Sequence, residues 1–212
     1  EIPHAWSAIE VDVTGMVECR ALHLSRFHSE YGVKLTYLPI TLSVVANALL
    51  AHPLINSTWH DGNIVLKGNV NIGVAVGAED GLVVPVLHKA TGDSIVDIAQ
   101  KLDGIVTRAR TGSMSINDVQ GGTFTLNNTG ALGSVWGGAI INYPQAAILT
   151  TESIVKRPKV VMVDDVESVS IRSMMNICLS FDHRIIDGLE ASRFLQSVKS
   201  GLEAIDVETE LK

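Results

Sequence analysis

The chain has 212 residues, 46% of them apolar and 18% charged, with a formal net charge of −7. That length supports one substantial core, and no Pro- or Ser-rich linker divides it, so residues 1–212 read as a single domain. The acidic balance without a Lys or Arg cluster argues against nucleic acid; the apolar runs, such as 40–50, are interrupted and too short to cross a bilayer, and no signal-peptide pattern opens the chain, so an intracellular protein with no membrane partner is expected.

So high an apolar content also predicts burial between subunits. Cys19 and Cys178 stand alone and read as ordinary buried thiols, and His4, His23 and His28 lack ligand spacing, so no metal site is expected.

In chain order, residues 2–14 alternate partly and lead into a helix over 16–28, with Thr14 or Asp12 as its cap. Ile40, Val44, Val45, Ala48 and Leu49 form one stripe of a helix over 36–51 that Pro53 ends. Trp59-His60-Asp61-Gly62-Asn63 reads as a turn feeding a strand at 64–67. Residues 70–87 form the clearest hairpin, its apolar arms flanking the turn Ala78-Glu79-Asp80-Gly81. Pro85 cannot donate to a ladder, so it marks an edge, a bulge or a point where the strand leaves the sheet. Asp93 or Ser94 then caps a helix with Ile95, Ile98, Ala99, Leu102 and Ile105 on one face, stopped near Gly112, and a short helix begins at Ser115.

Residues 121–130 read as a strand between glycines that leads into the Gly-rich stretch 131–138. No phosphate-loop or dinucleotide spacing is present there, nor a nucleophile elbow around Ser134, so the residues by themselves describe a twisted strand with a flexible loop. Met174–Leu179 is apolar and strand-like, and Leu189, Phe194, Leu195, Val198 and Leu202 recur at helical spacing. His183 and Asp187 therefore sit in a strand-to-helix connection. Asp187 is the expected N-cap, with Glu190 as its capping-box partner. A loop histidine beside a carboxylate can serve as a general base near neutral pH, and a surface pair beside a capped helix is the other reading that the spacing allows.

Asp182-His183-Arg184-Ile185-Ile186-Asp187-Gly188 resembles the Asp-His-Arg-x-x-Asp-Gly signature of the dihydrolipoamide acyltransferases, the core enzymes of 2-oxo acid dehydrogenase complexes. Phe124-Thr125-Leu126-Asn127-Asn128-Thr129-Gly130, Ile140-Ile141-Asn142-Tyr143-Pro144-Gln145 and Ile154-Val155-Lys156-Arg157-Pro158 extend the likeness, in the expected order, over nearly the whole chain. The resemblance implies an α/β fold: a two-layer sandwich of a mixed β-sheet and packed helices, like that of chloramphenicol acetyltransferase.

It also implies acyl transfer between coenzyme A and a dihydrolipoyl thiol, with the segment around Pro85 near the coenzyme A channel and the individual coenzyme A contacts unassigned. His183 would be the base, Asp187 a group that fixes the loop, for instance through an ion pair with an arginine, and Asn127 the oxyanion donor where many members carry Ser or Thr. Homotrimers would assemble into a larger core, each site shared by neighbouring subunits.

No lysine sits in the Asp-Lys-Ala context of a lipoyl domain, so the lipoyl group is expected from outside this chain. A family N-terminal helix, lipoyl domain and partner-binding domain would be absent, and those domains would recruit the decarboxylase and dihydrolipoamide dehydrogenase. The implied compartment is the bacterial cytoplasm or the mitochondrial matrix. The motifs look most like bacterial branched-chain acyltransferases, with acetyl the next choice. A chloramphenicol-type O-acetyltransferase and a catalytically weak scaffold are the alternatives.

Overall fold

The computed structural model describes residues 1–78, 81–209 and 211. In chain order its elements are β1 (His4–Asp12), α1 (Thr14–Tyr31), α2 (Tyr37–Ala51), β2 (Ser57–His60), β3 (Asn63–Leu66), β4 (Ile72–Val74), β5 (Val76–Ala78), β6 (Gly81–Val83), β7 (Val86–Leu87), α3 (Ile95–Arg110), β8 (Phe124–Asn128), β9 (Ala147–Thr151), β10 (Val155–Val163), β11 (Val166–Asp182) and α4 (Gly188–Glu203). The main sheet runs β1-β11-β9-β8-β4-β7, with β10 alongside the outer half of β11. β8 is parallel to β4 and β9 and the other pairs are antiparallel, which gives the expected mixed sheet.

One face of that sheet buries Phe124, Leu126, Leu149, Ile177, Leu179 and Phe181 against the apolar stripes of the helices. Each such side chain stabilises the fold by about 1.5–3 kcal/mol when fully buried. Phe124 meets Phe194 of α4 edge to face at 5.9 Å. α2 and α4 approach so closely at Gly201 that a Cβ there would lie 2.6 Å from a Val44 methyl.

Helix starts follow local side-chain chemistry. Ser94 caps α3 in a reciprocal box with Asp97, and Thr36 precedes α2. α1 begins at Thr14 and continues to Tyr31, longer than its periodicity predicts; Asp12 Oδ1 accepts from the Thr14 N–H and hydroxyl, while Val13 takes the cap position. The element at Ser115 is one 3₁₀ turn, Ile116–Asp118.

The hairpin over 70–87 is present in two parts. β4 and β7 pair in the main sheet, and β5 and β6 pair outside it. Pro85 marks the departure, since its carbonyl accepts from Val74 N–H at 2.8 Å. Glu79 and Asp80 of its expected turn lie outside the described residues.

β10 and β9 both lie on the same side of β11, separated by a bulge. Thr151 pairs with Ile177 and Val155 with Met174, so Glu152, Ser153 and Ile154 oppose only Met175 and Asn176. One extra residue is accommodated there, and bulges of this kind re-aim side chains.

The sheet's second face is polar. Thr125, Asn127, Thr150, Asn176, Cys178 and Ser180 alternate with the core residues of β8, β9 and β11, on the side away from the helix-packed core. The segment 129–146 crosses this face instead, tied down by Thr125 Oγ1 donating to buried Gln145 (2.6 Å) and Asn176 Nδ2 donating to Val135 O (2.8 Å).

Candidate active site

β11 ends at Asp182, whose side chain is buried at the sheet terminus. A buried carboxylate needs strong partners. Arg184 supplies them: Nε donates to Oδ1 at 3.0 Å, Nη2 donates to Oδ2 at 2.6 Å, and the Arg184 N–H donates to Oδ1 at 3.0 Å. Burial pushes the Asp182 carboxyl up, but the hydrogen bonds and charge of Arg184 outweigh it and hold the group below the usual carboxylate range. The guanidinium also lies over the Trp59 ring at 5.2 Å.

His183 stands between these two residues. Its N–H donates to Pro3 O at 3.0 Å, and its ring packs on Phe181 at 5.7 Å. The side chain is exposed, and among the described residues nothing hydrogen-bonds its ring nitrogens. The imidazole is thus fixed at its root and open at its tip, into a cleft of about 230 Å³ that Asp187, Glu190 and Arg193 also line.

Asp187 caps α4, its Oδ1 accepting from Glu190 N–H at 2.8 Å. The reciprocal half of the expected capping box is not made, because the Glu190 carboxylate turns to His52 Nδ1 at 3.1 Å. Among the described residues Asp187 has no arginine partner; the ion pair of this loop belongs to Asp182.

Asn127 lies near the end of β8, half-buried on the second face beside its register partner Thr150. The chain then enters a 3₁₀ turn, Thr129–Leu132, and the Gly-rich segment. Two residues that sequence reading passed over organise this region. Glu152 is buried and accepts from the hydroxyls of Thr150 (2.6 Å) and Thr129 (2.8 Å). Ser153 donates from its N–H to Ser134 O at 2.7 Å and from its hydroxyl to Gly130 O at 2.9 Å. The signal was the polar alternation of Asn176-Ile177-Cys178-Leu179-Ser180, which marks a second face lined with hydrogen-bonding groups.

A single chain does not bring Asn127 and His183 together. Asn127 is level with Thr150 and, through it, with Cys178 in β11. His183 lies five residues beyond Cys178, just past the end of β11, and two strand spacings separate β8 from β11. At about 3.3 Å per residue and about 4.8 Å per strand, the two backbones are on the order of 20 Å apart.

Residues 1–209 match the family model described as 2-oxoacid dehydrogenases acyltransferase (catalytic domain). The chain is 48% identical over 209 residues to the lipoamide acyltransferase component of the branched-chain alpha-keto acid dehydrogenase complex of Bacillus subtilis, covering 99% of this chain and 49% of that protein. It therefore spans about half the length of that curated relative, and less of the next ones.

Among solved structures, a probable dihydrolipoamide acetyltransferase from Listeria monocytogenes superposes with a TM-score of 0.94 at 48% identity, covering 100% of this chain and 89% of that one. A dihydrolipoamide acetyltransferase from Azotobacter vinelandii, studied for the roles of a serine, a histidine and an asparagine in its catalytic mechanism, gives 0.90 at 30% identity over 97% of this chain and 83% of that one. The fold alone extends to chloramphenicol acetyltransferase, with a TM-score of 0.59 at 16% identity over 95% of this chain and 89% of that one.

Proposed function

Because the chain belongs to the 2-oxoacid dehydrogenase acyltransferases, matched by their catalytic domain, we propose that it transfers an acyl group between coenzyme A and a dihydrolipoyl thiol as the core of a 2-oxo acid dehydrogenase complex. The observation that carries this reading is the connection from Asp182 to Asp187, where a buried ion pair roots an exposed histidine four residues before a helix cap. In the Azotobacter enzyme the studied asparagine likewise falls four positions after the studied histidine.

A free thiol has a pKa of about 8.5 and is a weak nucleophile at neutral pH until a base takes its proton. Neutral His183 accepts that proton as the thiol sulfur attacks the thioester carbonyl. The imidazolium then returns it to the departing thiolate sulfur, so the residue ends each cycle as it began. Asp182 and Arg184 hold the backbone on both sides of His183, and Asp187 fixes the start of α4. The Asn127 amide donates to the oxyanion of the tetrahedral intermediate, a contribution worth about 10²–10³ in rate.

The roughly 20 Å between Asn127 and His183 within one chain supports a site built from two copies, His183 from one and Asn127 from the next, in a trimer that assembles further. Exposed apolar side chains near the second face point the same way: Leu132 and Ile140 are more than four-fifths exposed in the isolated chain, and Trp136 and Tyr143 more than half. The lipoyl group comes from a domain outside residues 1–212, and the decarboxylase and dihydrolipoamide dehydrogenase engage such domains. Branched-chain acyl groups are the first choice of substrate and acetyl the second, following the relatives in that order. Curated relatives occur in bacteria and in mitochondria, and among the described residues no helix is long and apolar enough to cross a membrane.

The test is acyl transfer to dihydrolipoamide from acetyl-, isobutyryl-, isovaleryl- and succinyl-coenzyme A. Turnover that disappears in His183→Ala supports the reading, and the preferred donor names the complex. An assembled protein inert toward all four donors would leave the scaffold alternative.

A further inference from the structure

Glu152 is a buried carboxylate that the reaction does not use. Among the described residues no Lys, Arg or His pairs with it, and its two oxygens accept from the Thr150 and Thr129 hydroxyls, one on each. Burying a carboxylate without a cation is costly. What the arrangement accomplishes is visible in the partners. Thr150 is the cross-strand neighbour of Asn127, and Thr129 follows Asn127 by two residues.

The surroundings are shaped to the same end. The bulge at 152–154 frees Ser153 to bond the Gly-rich segment at Ser134 and Gly130 rather than β11. Gly130 packs against the Glu152 main chain where any Cβ would overlap it, and a Cβ at Gly137 would lie 3.2 Å from Glu152 Oε1. The buried Cys178 thiol is pushed up by burial and by the adjacent Glu152 carboxylate, and stays a neutral neighbour. Strand β9, the end of β8 and the loop beyond it are thus tied at one carboxylate.

We propose that Glu152 is a positioning residue for Asn127, holding the end of β8 through Thr150 and Thr129 so that the amide is fixed where the oxyanion forms. This rests on the reading of Asn127 as oxyanion donor. A positioning group acts only through the group it positions, so its loss should not add to the loss of that group. Replacement by glutamine keeps the volume but offers one acceptor oxygen instead of two.

The experiment is a double-mutant cycle on the assembled protein with acyl-coenzyme A and dihydrolipoamide, measuring kcat and KM of Glu152→Gln, Asn127→Ala and the double variant. Glu152→Gln is expected to lower kcat about tenfold with KM within about twofold, and to cost less than about twofold once Asn127 is already alanine. Thr129→Val, which removes only the loop-side hydroxyl, should show the same non-additivity and carries the test if Glu152→Gln does not assemble. A loss of equal size in both backgrounds, or no loss while Asn127 is intact, overturns the positioning role while leaving Asn127 as donor. If Asn127→Ala itself retains full kcat, the donor reading fails first, and this inference falls with it.

Discussion

Asp182 and Arg184 clasp each other across His183, with both carboxylate oxygens engaged at 3.0 and 2.6 Å by the side chain of a residue only two positions away. The same carboxylate receives the Arg184 N–H, while the Asp182 carbonyl accepts from Ile185 and Ile186. The peptide that carries the histidine is thereby closed into a loop whose two ends share one buried ion pair.

Removing one partner should be costly. Asp182→Asn is expected to destabilise the protein by about 2 kcal/mol, the buried-pair value reduced because Arg184 is partly exposed. The Asp182 carboxyl is held below its ordinary value, so its contribution is complete above the unfolded pKa of about 3.9 and is lost as pH falls through the lower folded one. Urea unfolding followed from pH 7 down to pH 3 should show a shallower acid decline in Asp182→Asn than in the wild type. Equal slopes would mean that the pair does not titrate with folding.

His183→Ala should lower kcat by at least about 10²–10⁴ and leave unfolding within about 0.5 kcal/mol of the wild type, since the ring is exposed and its anchoring bond is made by the backbone. A large stability loss would place the ring in the packing against Phe181 rather than in the chemistry.

Asp187 separates capping from charge. Asp187→Ala removes the hydrogen bond to Glu190 N–H and should cost about 1 kcal/mol, whereas Asp187→Asn keeps a good cap and should restore most of it. Turnover should follow stability, with the pH dependence of kcat/KM unchanged in Asp187→Asn. A displaced pH profile there would make Asp187 an electrostatic partner of the histidine.

How much of this was legible follows from what each signal encodes. Capping chemistry and helical stripes are local, so Ser94 with Asp97, the apolar face of α3 and Asp187 at the start of α4 could be read from sequence. The β10–β11 hairpin was missed, although Val155–Val163 and 166–173 alternate, because its turn is Asp164-Asp165 rather than a Gly pair; both residues take positive φ, 50° and 62°. Its apolar side chains, Val169 and Ile171 among them, face solvent in the isolated chain and so carried no core signal. Glu152 was missed because its meaning is cross-strand: only the register that sets Thr150 beside Asn127 gives the carboxylate something to hold. The resemblance implied a site shared by neighbouring subunits, with His183 and Asn127 in it; what the motifs could not show is the strand register that sets the two far apart within one chain.

That separation leads to the most direct test of assembly. If His183 from one copy works with Asn127 from the next, His183→Ala and Asn127→Ala chains are each defective at every site of their own trimers. In mixed trimers formed by co-expression, a site is intact wherever an Asn127→Ala chain supplies the histidine and a His183→Ala chain supplies the asparagine. Random assembly at equal amounts makes about a quarter of the sites wild type. Co-expressed protein should therefore recover about a quarter of wild-type kcat per site above either parent, with wild-type KM at the restored sites. Parents purified separately and mixed without dissociation should recover nothing. If both residues served one site within one chain, no mixture could rebuild it, and activity would stay at the average of the two parents.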